Sequence, residues 1–162
     1  MSFEQIIQLL QNFDKKLDIL INHNNNNNNI INKIISIREK DNYHTYADSN
    51  YIKKCLEGKG HTADFKLFKK IHLQSGYEYP IKIINRKTLS YYNGMEWIEN
   101  DIIDVCKIIL NNIQNAYMKE NIFENDSKNP QKFIENQKHI LATNDVKYIK
   151  KFSILLYKFF KN

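Results

Sequence analysis

The stretch Thr88-Leu89-Ser90-Tyr91-Tyr92-Asn93-Gly94-Met95-Glu96-Trp97 holds the strongest hairpin signal in this 162-residue chain. Asn-Gly between runs of β-branched and aromatic residues is the dipeptide that supplies the two positive-φ positions of a tight β-turn. The spacing predicts a strand over Thr88–Tyr92 and another over Met95–Ile98, with Trp97 opposite Tyr91 or Tyr92. Just before it, Tyr79, Ile81 and Ile83 alternate with Pro80, Lys82 and Ile84, and Asn85-Arg86-Lys87 makes a turn. The result is a three-stranded antiparallel meander. Such a sheet needs cover on its apolar face, so the flanking segments must be helices that dock on it.

They have the right period. Asp48 or Ser49 can cap a helix through Glu57, and Gly58 suits its end. Thr62 starts a second helix with Phe65, Phe68, Ile71 and also Leu67 turned inward. After the meander, Asn100 is the expected cap of a long helix whose stripe is Ile103, Cys106, Ile109 or Leu110, Ile113 and Tyr117. A loop at Asn125–Asn129 leads to a helix from Pro130 to Leu141, and Asn144 can cap a last helix from Asp145 to Lys161. Tyr43–Ala47 reads as a connector.

The N-terminal segment has a different rhythm. Phe3, Ile6, Leu10, Phe13, Leu17 and Leu20 step by threes and fours, the seam of a coiled coil. Six asparagines, Asn24–Asn29, follow, and Ile31 and Ile34 resume the seam in the same phase. Ile7, Leu9, Ile19, Ile21, Ile35 and Ile37 widen the apolar face beyond a two-stranded seam. The asparagines cost about 4 kcal/mol of helix propensity relative to alanine. Two forms follow: a continuous rod of about 50 Å with Asn24 and Asn27 on its axis, or two helices joined by a loose tract. In either form the segment predicts a homo-oligomer. The fold class is therefore α+β in three parts: a coiled-coil segment over 1–40, an α+β head over 41–126 and a C-terminal helical pair over 127–162.

Net charge is +6, spread along the chain, which admits an acidic partner without demanding one. No cofactor motif is legible: there is no glycine-rich phosphate loop, HExxH, CxxC or paired-carboxylate spacing. Cys55, His61 and His72 match no zinc spacing, and no Cys–His pair is marked out as a nucleophile. The reading is a protein that is not an enzyme and holds neither cofactor nor metal. Buried free thiols at Cys55 and Cys106 fit a reducing compartment. The first apolar residues are broken by Glu4, Gln5 and Gln8, unlike a signal peptide. The longest apolar tract, Phe152–Phe160, is too short to span a bilayer. An intracellular, unsecreted protein is expected.

Two basic-aromatic stretches are the candidate binding surfaces. Lys66, Lys69 and Lys70 interleave with Phe65 and Phe68, and Lys150 and Lys151 sit beside Tyr148 and Phe152, while Tyr157-Lys158-Phe159-Phe160-Lys161 closes the last helix. Lysines pair phosphates and aromatics stack on bases. At helical spacing the same aromatics also serve as core.

Tyr51-Ile52-Lys53-Lys54-Cys55-Leu56, Phe68-Lys69-Lys70-Ile71-His72-Leu73, Ile81-Lys82-Ile83-Ile84-Asn85 and Tyr92-Asn93-Gly94-Met95-Glu96-Trp97, followed by a helix starting at Ile102-Ile103, occur in one order. In that order they resemble the C-terminal module of uncharacterised coiled-coil proteins encoded by mimivirus-like giant viruses. Those proteins pair an N-terminal zinc finger with a coiled coil, an Asn-rich connector and this module. Here the zinc finger is missing and Gln74–Pro80 is shorter than the family's usual stretch. The resemblance implies a viral protein, in the infected cell's cytoplasm or the virion. It also implies a coiled coil that multiplies a head for a protein partner. Nucleic-acid binding through the five named lysines is the alternative.

Overall fold

The computed structural model describes residues 33–38, 42–123 and 129–161. The expected seam positions Phe3, Ile6, Leu10, Phe13, Leu17, Leu20 and Ile31, and the asparagine tract, lie outside the described residues. Among the described residues, six helices and three strands follow in chain order: α1 (Asn42–Tyr46), α2 (Ser49–Gly58), α3 (His61–His72), β1 (Ile81–Ile83), β2 (Thr88–Tyr92), β3 (Trp97–Asp101), α4 (Ile102–Phe123), α5 (Pro130–Ala142) and α6 (Val146–Lys161). Mixed helix with an antiparallel sheet in the order β1-β2-β3 is the α+β architecture expected.

The hairpin that decides this is built by asparagine side chains. Asn93 Oδ1 accepts from the backbone of Met95 (2.8 Å) and Glu96 (2.9 Å), and Gly94 takes φ +108°. Asn85 Oδ1 does the same for Lys87 and Thr88 in the preceding turn, each side chain standing in for a backbone acceptor. Holding Met95 and Glu96 in the turn shifts β3 from the expected Met95–Ile98 to Trp97–Asp101. Asn100 is consequently a strand residue, paired with Leu89, and not the cap of α4. Asp101 replaces it, its Oδ1 accepting from Ile103 N at 2.7 Å.

Register sorts the sheet into two faces, because side chains alternate along a strand. Ile81 pairs with Tyr91, and Ile83 with Leu89. Ile81, Leu89 and Tyr91 are buried. Trp97 is opposite Tyr92, as one of the two expected pairings has it. That pair belongs to the outer face, where the Lys82 ammonium lies 3.9 Å from the Trp97 ring centroid. The tryptophan contributes to a half-buried outer cluster and not to the main core.

Four other expectations shift. Asp48 caps α2 as expected, accepting from Tyr51 N at 2.8 Å, but the helix includes Gly58 and the left-handed φ of 51° falls on Lys59. The connector at Tyr43–Ala47 is largely the short helix α1, pinned by a fully buried Tyr43. Asp145, not Asn144, caps α6, its Oδ1 accepting from Lys147 and Tyr148. Ile34 does not continue a helix. Residues 33–38 are non-helical: Lys33 bridges Tyr77, its carbonyl accepts from Glu78 N, and Ile37 N donates to Tyr92 O. Asn112 Nδ2 donates to Ile37 O at 2.7 Å. Ile35 and Ile37 are buried in the head's core, so two residues read as widening the apolar face beside the seam cover the domain instead.

The compact unit starts at Lys33 and runs on through α5 and α6. A single core joins Ile52, Leu56, Phe68, Ile71 and Leu89 to Ile109, Ile113, Ile140, Phe152 and Leu156. The expected divide at 126/127 is thus not a divide in packing. Phe65 stacks on Phe68 and meets Phe152 and Phe159 edge-on, which sets α6 against α3.

Candidate functional site

Two places concentrate polar chemistry, and the fold treats them oppositely. The first is Asp64 on α3, fully buried. Its Oδ1 accepts from Tyr117 Oη (2.8 Å, α4) and from His139 Nε2 (3.1 Å, α5), and its Oδ2 accepts from Tyr148 Oη of α6. Gly60 N donates to His139 Nδ1 at 3.2 Å, so that nitrogen is an acceptor and the ring proton sits on Nε2, facing the carboxylate. One carboxylate therefore ties α3 to three other helices. Burial, and then the nearby Asp64 charge, push the Tyr117 and Tyr148 hydroxyls well above the usual phenol range, so both act as donors.

Both thiols and His72 are enclosed as well. Burial raises the Cys55 thiol to about 11, with Asp64 adding to the effect, and raises Cys106 further. Neither is a ready nucleophile at neutral pH. Burial lowers His72 to about 4; its Nδ1 faces the Ile35 carbonyl at 3.3 Å and its Nε2 the Tyr43 hydroxyl at 3.4 Å. Among the described residues no group of three or more His, Cys, Asp or Glu is placed to hold a metal. No helix among them is long and apolar enough to cross a membrane.

The five candidate lysines occupy two packed helices but not one patch. Lys69 leans towards α6, its ammonium 5.5 Å from the Phe65 centroid and 5.7 Å from that of Phe159. Lys70 lies over Tyr51 of α2 at 5.7 Å. Lys66 lines a groove of about 360 Å³ between α2 and α3, with Tyr51, Lys54 and Lys59. Lys150 and Lys151 are exposed on α6. The aromatics interleaved with them, Phe65, Phe68 and Phe152, are core, which is the ordinary fate of aromatics at helical spacing.

The second place is a groove of about 590 Å³ between α6, the β1–β2 turn and the start of α4. It is lined by Arg86, Ile102, Ser153, Ile154, Tyr157, Lys158 and Lys161. Its floor is apolar and its three charged residues are all cationic. None of the three makes an ion pair within the described residues, whereas Lys59 pairs with Glu135 (2.5 Å) and Lys132 with Glu57 (2.6 Å) along the α2–α5 seam. Sequence reading caught Tyr157, Lys158 and Lys161 as a basic-aromatic stretch but missed Arg86, which is remote in sequence and meets them only through the hairpin turn. It also missed Asp64, a lone carboxylate among lysines whose signal was only that it sits on the apolar face of α3. Comparison with protein-family models, with curated proteins and with solved structures gives no match for this chain.

Proposed function

We propose that this chain is a non-enzymatic, oligomeric interaction protein of viral origin, acting inside the infected cell or in the virion. Its N-terminal segment multiplies the α+β head, and the head engages a protein partner. The observation that carries the reading is the contrast between enclosed chemistry and open charge. Asp64, Tyr117 and His139 are buried and satisfy one another, and both thiols are buried. The exposed side of α6 carries Lys147, Lys150, Lys151, Lys158 and Lys161 without one carboxylate on that helix. The order of motifs shared with the giant-virus proteins supports the viral source, and the spacing of Leu10 and Leu17 supports assembly.

Light scattering on the intact chain tests it. The reading expects a mass at least twice the 19.4 kDa of one chain, falling to one chain in the Leu10→Asp/Leu17→Asp double variant. A monomer at micromolar concentration, unaffected by that pair, would overturn it.

A second reading, nucleic-acid binding through Lys66, Lys69, Lys70, Lys150 and Lys151, is favoured by the side-by-side packing of α3 and α6, whose one acid, Asp64, is buried. Oligomerisation would give these lysines avidity and a steep salt dependence. Titration with single-stranded DNA at 50 and 200 mM salt separates the two. Affinity falling tenfold or more between them, and lost on replacing those lysines by glutamine, supports the second reading. Weak binding indifferent to the lysines removes it.

A further inference from the structure

The groove beside α6 has a floor and a rim of opposite character. Ile102 is buried beneath it, Ile154 stands 52% exposed within it, and Tyr157 forms a half-buried wall. Arg86, Lys158 and Lys161 surround these, all exposed. Lysines in the last turn of a helix are favoured by its dipole without any ligand, which accounts for Lys158 and Lys161. It accounts neither for Arg86, delivered to the same groove by a β-turn, nor for an isoleucine left half open between three cations.

We propose that this groove binds a short acidic, amphipathic segment of a partner protein, with apolar side chains on Ile102, Ile154 and Tyr157 and carboxylates paired with Arg86, Lys158 and Lys161. This deepens the reading of the head as a protein-binding module and rests on it. The volume lies within the range of sites that enclose a few side chains. From Ser153 to Lys161 the groove follows roughly 12 Å of helix, enough for two turns of a partner helix with anchors four apart. Charge complementarity selects acidic over basic segments. Nucleic acid fits this groove less well: bases need open aromatic faces, and here the one ring, Tyr157, has the Lys161 ammonium 5.8 Å from its centroid, while the isoleucines offer no plane to stack on.

The test selects 12-residue random peptides on phage against the full-length protein, with counter-selection against Lys158→Glu/Lys161→Glu. The variants change exposed residues, and thermal melting checks that they remain folded. The expected result is enrichment of sequences with two apolar residues three or four apart among aspartates and glutamates. The best synthetic peptide should lose at least tenfold in affinity on Arg86→Glu, on Lys158→Glu/Lys161→Glu and on Ile154→Asp. Selected peptides with no acidic bias, or binding that survives all three changes, overturn the proposal. So does single-stranded dT12 displacing the peptide from the groove at 150 mM salt. Failure of the assembled wild-type protein to select any acidic peptide would remove the groove and leave oligomerisation standing. Retained binding in a monomeric Leu10→Asp/Leu17→Asp chain would support the groove independently of assembly.

Discussion

Asp64 and the α6 groove are two concentrations of charge in one head, and they differ in whether each charge has been given a partner. Around Asp64 three other helices contribute: a tyrosine from α4, a histidine from α5 and a tyrosine from α6, with the Gly60 amide fixing the histidine tautomer. Burying a carboxylate is costly unless it is hydrogen-bonded, and here three donors converge on it. The groove gathers three cations and leaves them open to solvent beside an exposed isoleucine. A satisfied, closed cluster specifies how helices dock. An open, one-signed cluster over an apolar floor has a use only when something else arrives. Polar residues therefore divide by partnership and not by type.

The largest effect should come from breaking the closed cluster. Asp64→Ala strands two phenols and an imidazole in the core, and by the cost of removing one member of a buried polar set it should destabilise by about 3–5 kcal/mol, read by urea unfolding. A second buried histidine, at the end of α3, gives the next effect, and it is pH-dependent. His72 has a folded pKa of about 4 against 6.5 when free. The unfolded chain therefore takes up a proton below 6.5 that the folded chain refuses until about 4. Stability from this group is complete above pH 6.5 and is lost as pH falls through that window, by about 3 kcal/mol in full. The wild type should lose that much more than His72→Gln between pH 7 and pH 4, measured by denaturant midpoints. Tyr148→Phe removes one donor while keeping the ring, and a cost of about 1–2 kcal/mol is expected. Smallest in stability are the groove changes: Lys158→Glu/Lys161→Glu gives up the favourable interaction of two exposed last-turn lysines with the helix dipole, about 1 kcal/mol in all. That they leave the core intact is what makes them useful for binding.

Much of this fold was legible because local signals agreed with it. Period-two alternation and Asn93-Gly94 gave the meander, Asp48 and Pro130 marked two helix starts, and the apolar stripe of α4 predicted its burial. Two of the errors share one cause: long-range contacts overrode a local rule. Ile34 kept heptad phase yet lies in a non-helical segment held by hydrogen bonds to residues 77–78 and 92. Asn100 was a good cap, but pairing with Leu89 claimed it for the sheet. The site was less legible than the fold. Lys66, Lys69 and Lys70 are adjacent in sequence yet turn to opposite sides of α3, towards Tyr51 and Phe159. Arg86 joins Lys158 and Lys161 across more than seventy positions, and Asp64 draws its partners from three later helices. No periodicity within one segment encodes such meetings.

The most direct test sets the two clusters against each other in one assay. Affinity for the selected acidic peptide is measured by fluorescence anisotropy for wild type, Tyr148→Phe and Lys158→Glu/Lys161→Glu. Tyr148→Phe should bind as wild type does despite its lower stability, while the charge-reversed protein, its core intact, should bind at least tenfold more weakly. Loss of binding in Tyr148→Phe with retention in the lysine variant would contradict the division of labour between closed and open charge.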